Sequence, residues 1–444
     1  MHLQPATEPP PSVPGALRRK ALFALLYLSE GAPIGFLWWA LPTRLREGGV
    51  PLAEITALSA LLAIPWTLKF LWAPLLDTLR GPGWGYRSWL LLAQTIMGLA
   101  LIPLAWLDLP THLGLVTALC LTHAFAAATQ DVAIDALAVA TTAPEERGAL
   151  NGWMQVGMLT GRSLFGGGVL WAGAFLGQGV VVVALCLLLA GVGTTIRRCD
   201  LHEPAPPAAT GASEAGFARR ALAVLAAFLR SLRAAVFRWR IAAGLAFALV
   251  AGCGFEATAG VVGPFLIDLG YGSDTVGAFQ ALPAVVLMAG GALCGGALAD
   301  RWGKARLVGW ALALLAAATG WVGLTPPAVA GGSVSTAALY LGPFYAAVGV
   351  FTASSYALFM DQTEPAVAAT QFTAFMALTN ACESWAVFSV GRLIPAWGYG
   401  PSFGFMALVS LGALPLLLLL WSRPAAATAD GSLGETSPAG IVRP

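Results

Sequence analysis

Two aspartates, Asp131 and Asp135, stand four positions apart within a long apolar segment. Residues at this spacing lie on the same face of a helix, so their carboxyl groups are close enough to share a proton. The pair is therefore predicted to be a proton-binding site. Arg162, in the next apolar segment, is predicted to pair with one carboxylate when the other is protonated. A static salt bridge between the two helices is the alternative, and so, for Asp135, is a place at the cytoplasmic helix end.

Three glutamates also interrupt apolar segments: Glu30, beside the broken turn GAPIG, Glu256 and Glu383. A charge inside a bilayer costs several kcal/mol unless it is paired, hydrated or neutralised, so each acid is a functional candidate. Glu30 and Glu256 stand at matching places in the two halves of the chain. Both are predicted to face a solute, with helix–helix hydrogen bonding as the alternative. Glu383 is predicted either to face the same cavity or to lie near Arg392.

Aromatic and amide side chains are candidates for the wall of that cavity, since ligand sites combine apolar walls with a few polar groups. The candidates are Trp38, Trp39, Gln130, Trp153, Gln155, Gln280 and Asn380. For most of the 16 tryptophans, anchoring at the membrane interface is the better interpretation. His123, two turns from Asp131, is predicted to bond across helices rather than to relay protons.

The elements that must hold these residues are membrane helices, and the fold class is predicted to be an all-α membrane protein. Of the 444 residues, 58% are hydrophobic and 10% charged, whereas about one-quarter of a soluble domain is charged. The length suits twelve helices of about 20 residues each. The net charge of +2 gives no reason to expect a nucleic-acid partner.

Twelve apolar segments can be counted, six on each side of a polar stretch. They fall at 21–42, 53–75, 87–107, 112–139, 148–173 and 178–196, and then at 239–267, 275–298, 307–325, 335–360, 366–392 and 399–421. Lys and Arg concentrate in the connections on the side of the N-terminus, and basic loops resist translocation. Both termini are therefore predicted to be cytoplasmic, in a multi-pass protein of the bacterial inner membrane.

The predicted organisation has five parts. They are a disordered tail at 1–16, a six-helix half at 17–196, a cytoplasmic linker at 197–238, a second six-helix half at 239–421 and a disordered tail at 422–444. Within the linker, 217–238 is basic and amphipathic, which suits a helix lying on an anionic membrane surface. A solvated connecting helix is the alternative.

A loop between the eighth and ninth segments reads GALADRWGKAR at 296–306. Gly296 is predicted to allow close helix approach, and Asp300 to cap or pair at a helix end. Arg301 and Lys304 are predicted to hold a neighbouring helix by charge-assisted hydrogen bonds that break when this side of the protein opens.

A degenerate copy of this loop stands about 223 residues earlier, which indicates internal repetition. It reads LKFLWAPLLDTLRGPGWGYRSWLL, and Lys69 lies at its start. Asp77 matches Asp300, and Arg87 takes the basic position. Halves related in this way place a solute site near the midplane between them.

The loop at 296–306 resembles the cytoplasmic loop of the major facilitator superfamily. Within that superfamily, KFLWAPLLD at 69–77, ATQDVAIDA at 128–136 and APEERGAL at 143–150 resemble the AmpG-like permeases and the related acetyl-CoA transporters. The resemblance implies twelve helices in two pseudo-symmetric halves and proton-driven uptake of a bulky polar solute, which in AmpG is an anhydro-muropeptide.

The chain departs from the AmpG pattern at three cationic positions. It has Leu159, followed by Arg162 one turn later, where the family has an arginine in a GYR element. It has Glu383 where the family has an arginine, and Cys253 where it has a lysine. The lost cations leave a siderophore permease of the RhtX and FptX type, or a carrier of another solute, as the alternative.

An enzyme is not expected, since no HExxH, GxSxG or Walker motif is present. The six cysteines stand singly without CxxC spacing, so no metal or cofactor is expected either. The expected partners are a small-molecule solute, protons and membrane lipid, and the protein is expected to be a monomer.

Overall fold

The structure is a computed structural model that describes residues 13–78, 80, 84–142, 146–199, 239–324, 327–363 and 368–421, with 222, 223, 225, 226 and 230 between. The predicted tail at 422–444 lies outside the described residues. Most of the predicted tail at 1–16 and most of the amphipathic segment at 217–238 do so as well.

The N-terminal half holds six long helices, α1 to α6. Helix α1 comprises Val13–Gly35, a π-helical turn Phe36–Ala40 and Leu41–Glu47; α2 comprises Leu52–Leu68 and a 3-10 turn Lys69–Leu71; α3 comprises Tyr86–Leu101 and Ile102–Ala105; α4 is Leu113–Thr141. Helix α5 comprises Arg147–Arg162 and a π-helical turn Ser163–Gly168, and the following Val169–Arg198 is broken at Gly177, with a φ of 70°, where α6 begins. A short helix, Ala73–Thr78, connects α2 to α3.

The C-terminal half repeats this order as α7 to α12. Helix α7 has three pieces, Trp239–Val250, Cys253–Ala259 and Val262–Asp268; α8 comprises Ser273–Ala281 and Pro283–Trp302; α9 is Lys304–Gly323; α10 is Val334–Gln362; α11 is Ala368–Trp397; α12 comprises Tyr399–Leu411 and Leu414–Trp421. A 3-10 turn, Pro327–Val329, precedes α10.

Ten of these helices are both long enough and apolar enough to cross a membrane, within the part of the chain that the structure describes. The two others are α5 and α11, which hold the same position in their respective halves. Both are long enough but more polar, and they carry Arg162 and Glu383. Polar residues in a spanning helix belong on a face turned away from lipid. The chain is thus an all-α membrane protein with twelve helices in two six-helix halves, as predicted.

Helix pairs inside each half approach closely at glycines. A Cβ on Gly157 of α5 would overlap the backbone of Ala24 in α1, and one on Gly295 of α8 would overlap that of Val350 in α10. Small residues let membrane helices approach in this way. The prediction for Gly296 was wrong, because a Cβ there meets nothing within 4 Å. The neighbouring Gly295 makes the close contact instead.

The side of the bundle opposite the N-terminus is called here the far side. There, Arg46 at the end of α1 pairs with Asp268 at the end of α7 and closes the gap between the halves. Nearer the middle of the bundle, Ser384 of α11 donates to the carbonyl of Ala60 in α2 (2.8 Å), and Ser163 of α5 donates to the carbonyl of Ala281 in α8.

Candidate functional site

An acidic cluster lies within the N-terminal half. Lys69 donates from Nζ to Asp131 Oδ2, and Tyr27 donates from its hydroxyl to Asp135 Oδ1 at 2.6 Å. Asp131 is buried, whereas Asp135 is exposed. In this structure the cation at Asp131 is Lys69 rather than Arg162, so the predicted pairing of Arg162 with one aspartate stays a prediction. The two aspartates therefore have different surroundings: one is held by an ion pair and the other is accessible.

Local structure explains how Lys69 reaches Asp131. Helix α2 tightens into a 3-10 turn at Lys69–Leu71 before the chain turns into Ala73–Thr78. The turn carries the lysine to the side of α4, where Asp131 and Asp135 lie four residues apart. Lys69 was predicted to belong to the gating loop, and the structure gives it a direct contact with the acidic cluster as well.

Glu30 of α1 is the third acid of this cluster. Its side chain is buried, and its Oε2 has no hydrogen-bond partner among the described residues. The charges of Asp131 and Lys69 act on it directly. One ammonium group thus stands among three carboxyl groups. If all three were ionised, the cluster would hold an excess of negative charge in a low-dielectric medium, which protons relieve.

A pocket of about 100 Å³ lies between the halves near the middle of the bundle. Helices α1, α2, α5 and α11 contribute its lining, which is Ile34, Trp38, Ala63, Trp66, Arg162, Asn380 and Glu383. Trp38 Nε1 donates to Glu383 Oε1 at 2.5 Å. The Arg162 guanidinium carbon lies 5.7 Å from the ring centroid of Trp39. A cation, an anion, an amide and two indoles therefore surround one space, the composition of a polar-ligand site.

The guanidinium group of Arg162 keeps hydrogen-bonding capacity for a ligand. Its Nε is buried and has no hydrogen-bond partner among the described residues. Glu383 lines the same pocket, and Glu256 is near enough for its charge to act on Arg162; both acids come from the C-terminal half. The cation on α5 is thus set against acids across the interface between the halves.

Glu256 lies in a separate small cavity of the C-terminal half, between α7, α10 and α11. Its neighbours there include Phe255, Phe351, Ser355 and Tyr356. Glu30 and Glu256, placed alike in the sequence, therefore have different environments. Glu30 joins the charged cluster with Lys69, and Glu256 lies among aromatic rings. Of the two places considered for Glu383, it lines the central pocket, while Arg392 stacks on Phe388 of its own helix.

The structure places the predicted cavity-wall residues in different surroundings. Trp38 and Asn380 line the central pocket. Gln155 lies seven residues before Arg162 and so shares its helix face. The prediction that Trp153 lines the cavity was wrong, because it lies nine residues before Arg162 and therefore on the opposite face of the helix. It is 41% exposed there, on the outer surface of the bundle.

The two other glutamines are buried within the protein. Gln130 of α4 is fully buried, and neither side-chain N nor O has a hydrogen-bond partner among the described residues. Gln280 of α8 is buried beside Ala281, at the contact with α5. His123 bonds across helices as predicted, with Nδ1 3.1 Å from the carbonyl of Met97.

The predicted gating loops show one ion pair of the expected kind. Lys304 Nζ donates to Asp361 Oδ1 at 2.7 Å, which ties the start of α9 to the end of α10. In the earlier copy, Arg87 donates to the carbonyl of Cys199 after α6. Arg301 is exposed, and the side chains of Asp77 and Asp300 lie outside the described residues.

Sequence reasoning missed several partners. Tyr27, Trp66, Arg46, Asp268 and Asp361 all lie at the ends or polar faces of apolar segments. The sequence contained one indication that Arg46 and Asp268 are partners, because they stand 222 positions apart. That separation matches the internal repeat.

The chain belongs to the major facilitator superfamily. The family model described as Major Facilitator Superfamily matches residues 23–389. The protein is therefore a transport protein of this type rather than an enzyme.

Among curated relatives, the chain is similar to "Putative transporter AmpG 4" of Rickettsia conorii, at 24% identity over 89% of this chain and 95% of the relative. It is also similar to the anhydromuropeptide permease of Escherichia coli K12, at 31% identity over 40% of this chain and 37% of that protein. The resemblance to AmpG-like permeases is thereby confirmed.

Two solved structures share the fold. The xylose transporter XylE from E. coli, in an inward open conformation, aligns with a TM-score of 0.67 at 12% identity over 93% of this chain and 98% of its own. The nucleoside transporter NupG aligns with a TM-score of 0.66 at 15% identity over 92% of this chain and 99% of its own.

Proposed function

We propose that this protein imports a bulky polar solute, such as an anhydro-muropeptide, across the bacterial inner membrane together with protons. The observation that carries the proposal is the arrangement of two polar sites in one interior. The acidic cluster with Lys69 lies in the N-terminal half, and the pocket with Arg162 and Glu383 lies between the halves. The AmpG-like relatives support the choice of solute.

Asp135 is the acid that exchanges the proton in this mechanism. It is accessible, and it accepts a hydrogen bond from the Tyr27 hydroxyl. Asp131 is instead fixed by Lys69 and keeps the ammonium group near the pathway. Closure of the far side leaves Asp135 in contact with the side of the N-terminus, where it releases its proton. Opening of the far side exposes the cluster to the proton supply.

Arg162 binds an anionic group of the solute, and this group takes the place of Glu383 beside the arginine. An arginine recognises a carboxylate through two parallel hydrogen bonds, and its unused Nε supplies one of them. Trp38 and Trp66 offer aromatic faces to the rest of the solute. The pocket of about 100 Å³ holds only a few waters, at roughly 30 Å³ each. It therefore receives one end of the solute, and the remainder extends into the space between the halves.

Both termini are proposed to be cytoplasmic. The positively charged connections lie on the side of the N-terminus. Lys304 and the end of α2 at Lys69, which contacts the acidic cluster, lie on the same side. Import then moves solute from the far side, which faces the periplasm.

Uptake into proteoliposomes with an imposed proton gradient tests the function. Labelled anhydro-muropeptide is expected to accumulate, and accumulation is expected to stop when an ionophore collapses the gradient. Uptake that continues unchanged after collapse would refute proton coupling. A ferric siderophore serves as the second solute. Accumulation of the siderophore without the muropeptide would refute the proposed solute and leave the transport class intact.

Asp135→Asn separates coupling from binding. The variant is expected to lose accumulation but to keep exchange of labelled for unlabelled solute, since exchange needs no net proton release. Asp108→Asn, in the far-side connection before α4, is the matched control and is expected to accumulate normally. Normal accumulation by Asp135→Asn would rule out its role.

A further inference from the structure

A cavity lies on the outer surface of the N-terminal half, away from the solute pathway. It is a groove of about 500 Å³ between α3 and α6. The groove wall is mainly apolar and includes Leu99, Trp106 and Leu187, which are 62%, 78% and 67% exposed. Because this surface of a membrane protein faces lipid, the groove is open to the bilayer.

The charged group of this groove lies at its end on the side of the N-terminus. Thr194 and Arg197 of α6 line that end, and both are exposed. Gln94 of α3 lies between this end and the apolar part. Its side chain is 4% exposed, and its Oε1 has no hydrogen-bond partner among the described residues. The groove thus has a positive, hydrogen-bonding end and an apolar remainder.

The length of the whole groove exceeds the thickness of one bilayer leaflet. From Leu91 to Ala105 the groove follows α3, and at 1.5 Å per residue this is about 21 Å. One leaflet of a bilayer core is roughly 15 Å thick. A lipid chain that enters at the Arg197 end is therefore covered along its length.

We propose that this groove is a binding site for an anionic phospholipid. The phosphate binds at Arg197, and one acyl chain lies along the groove towards Trp106. Charge complementarity selects this occupant, since a neutral apolar helix of another protein leaves Arg197 without a partner. The site is independent of the identity of the transported solute.

Native mass spectrometry of the purified full chain tests the site, with phosphatidylglycerol and phosphatidylcholine as the two probes. The expected result is one tightly retained phosphatidylglycerol. Arg197→Gln is expected to lower the preference for phosphatidylglycerol about fivefold, since one basic residue near an anionic lipid surface contributes about 1 kcal/mol. Arg198→Gln, the adjacent arginine outside the groove, is the control and is expected to change the preference little.

Filling the groove provides a second, uncharged test. Gly98 lines the groove, and a Cβ there meets nothing within 4 Å. Gly98→Leu is therefore expected to fold, to keep its thermal stability without lipid, and to lose both the retained lipid and the stabilisation by added phosphatidylglycerol. Gly191→Leu is the control, because Gly191 is equally open but does not line the groove.

Three results would overturn the proposal. One is equal retention of both lipids by the unaltered protein, which indicates ordinary annular lipid. Another is undiminished phosphatidylglycerol binding by both Arg197→Gln and Gly98→Leu. The last is a dimer that Gly98→Leu dissociates, which indicates that the groove receives a second copy of the chain.

Discussion

Arg46 and Asp268 form a two-point ion pair that joins the halves of the protein on the far side. Arg46 Nε lies 2.7 Å from Asp268 Oδ1, and Nη2 lies 2.8 Å from Oδ2. The hydroxyl of Tyr399 adds a third bond, to Oδ2 at 2.7 Å. Because the two residues terminate α1 and α7, the equivalent helices of the two halves, the pair must break for the far side to open.

Arg46→Gln is expected to shift the protein towards the state that is open on the far side. Both partners are about one-quarter exposed, so the pair contributes at most about 1 kcal/mol and the shift is about fivefold at most. The rate of maleimide labelling at Ser384→Cys, beneath the contact, measures the open population. Arg392→Gln, on the same side without an inter-half ion pair, is the control. Unchanged labelling in Arg46→Gln would show that the pair does not hold the far side closed.

Lys69→Met is expected to lower thermal stability strongly, because it leaves Asp131 buried without its cation. Breaking a buried pair in this way costs about 3–5 kcal/mol. Adding Asp131→Leu to Lys69→Met is expected to restore much of the lost stability without restoring solute accumulation. Thermal unfolding in detergent, combined as a double-mutant cycle, measures the coupling.

The exposed pair of Lys304 and Asp361 provides the comparison for that cycle. Lys304→Met is expected to change stability by less than about 1 kcal/mol, since the partners are partly in water. Equal losses for Lys69→Met and Lys304→Met would contradict the assignment of Lys69 to a buried cluster.

Arg162→Lys is expected to reduce kcat/KM for solute uptake about tenfold or more, mainly through KM. A lysine keeps the charge but cannot donate two parallel hydrogen bonds to one carboxylate. Initial rates over a range of solute concentrations separate the two constants. Arg392→Lys is expected to leave both unchanged, as this arginine stacks on Phe388 outside the pocket. A fall in kcat alone for Arg162→Lys would argue against direct contact with the solute.

Gly295→Leu is expected to prevent stable folding or to lower the melting temperature sharply, because its side chain would enter the backbone of α10 at Val350. Gly296→Leu is expected to be tolerated, since the added atoms meet open space. Melting temperatures of the two purified variants decide the point. The reverse order would restore the original prediction that Gly296 makes the close contact.

Hydropathy and internal repetition were sufficient to predict twelve helices in two halves, because each spanning helix must carry its own apolar length. The breaks within α1 and α7 could be anticipated at GAPIG and near GCGF. The partners of charged residues could not, because they depend on how helices are rotated against each other. A 3-10 turn directs Lys69 to Asp131. The rotation of α8 places Gly295, and not its neighbour Gly296, against the facing helix.

The central pocket was predicted in part for the same reason. A charged residue within an apolar segment is easily recognised, so Arg162 and Glu383 could be selected from the sequence. Their neighbours could not be assigned without the angle of α5, which turns Arg162 inward and Trp153 outward. Trp66 carried no distinguishing signal among 16 tryptophans.

The ion pair on the far side also limits how the protein can be assembled. Arg46 and Asp268 stand at equivalent repeat positions with opposite charges. A homodimer of two N-terminal halves would set arginine against arginine there, and a homodimer of two C-terminal halves would set aspartate against aspartate. The duplicated halves have thus become complementary, so that an N-terminal half is matched by a C-terminal half and not by a second copy of itself.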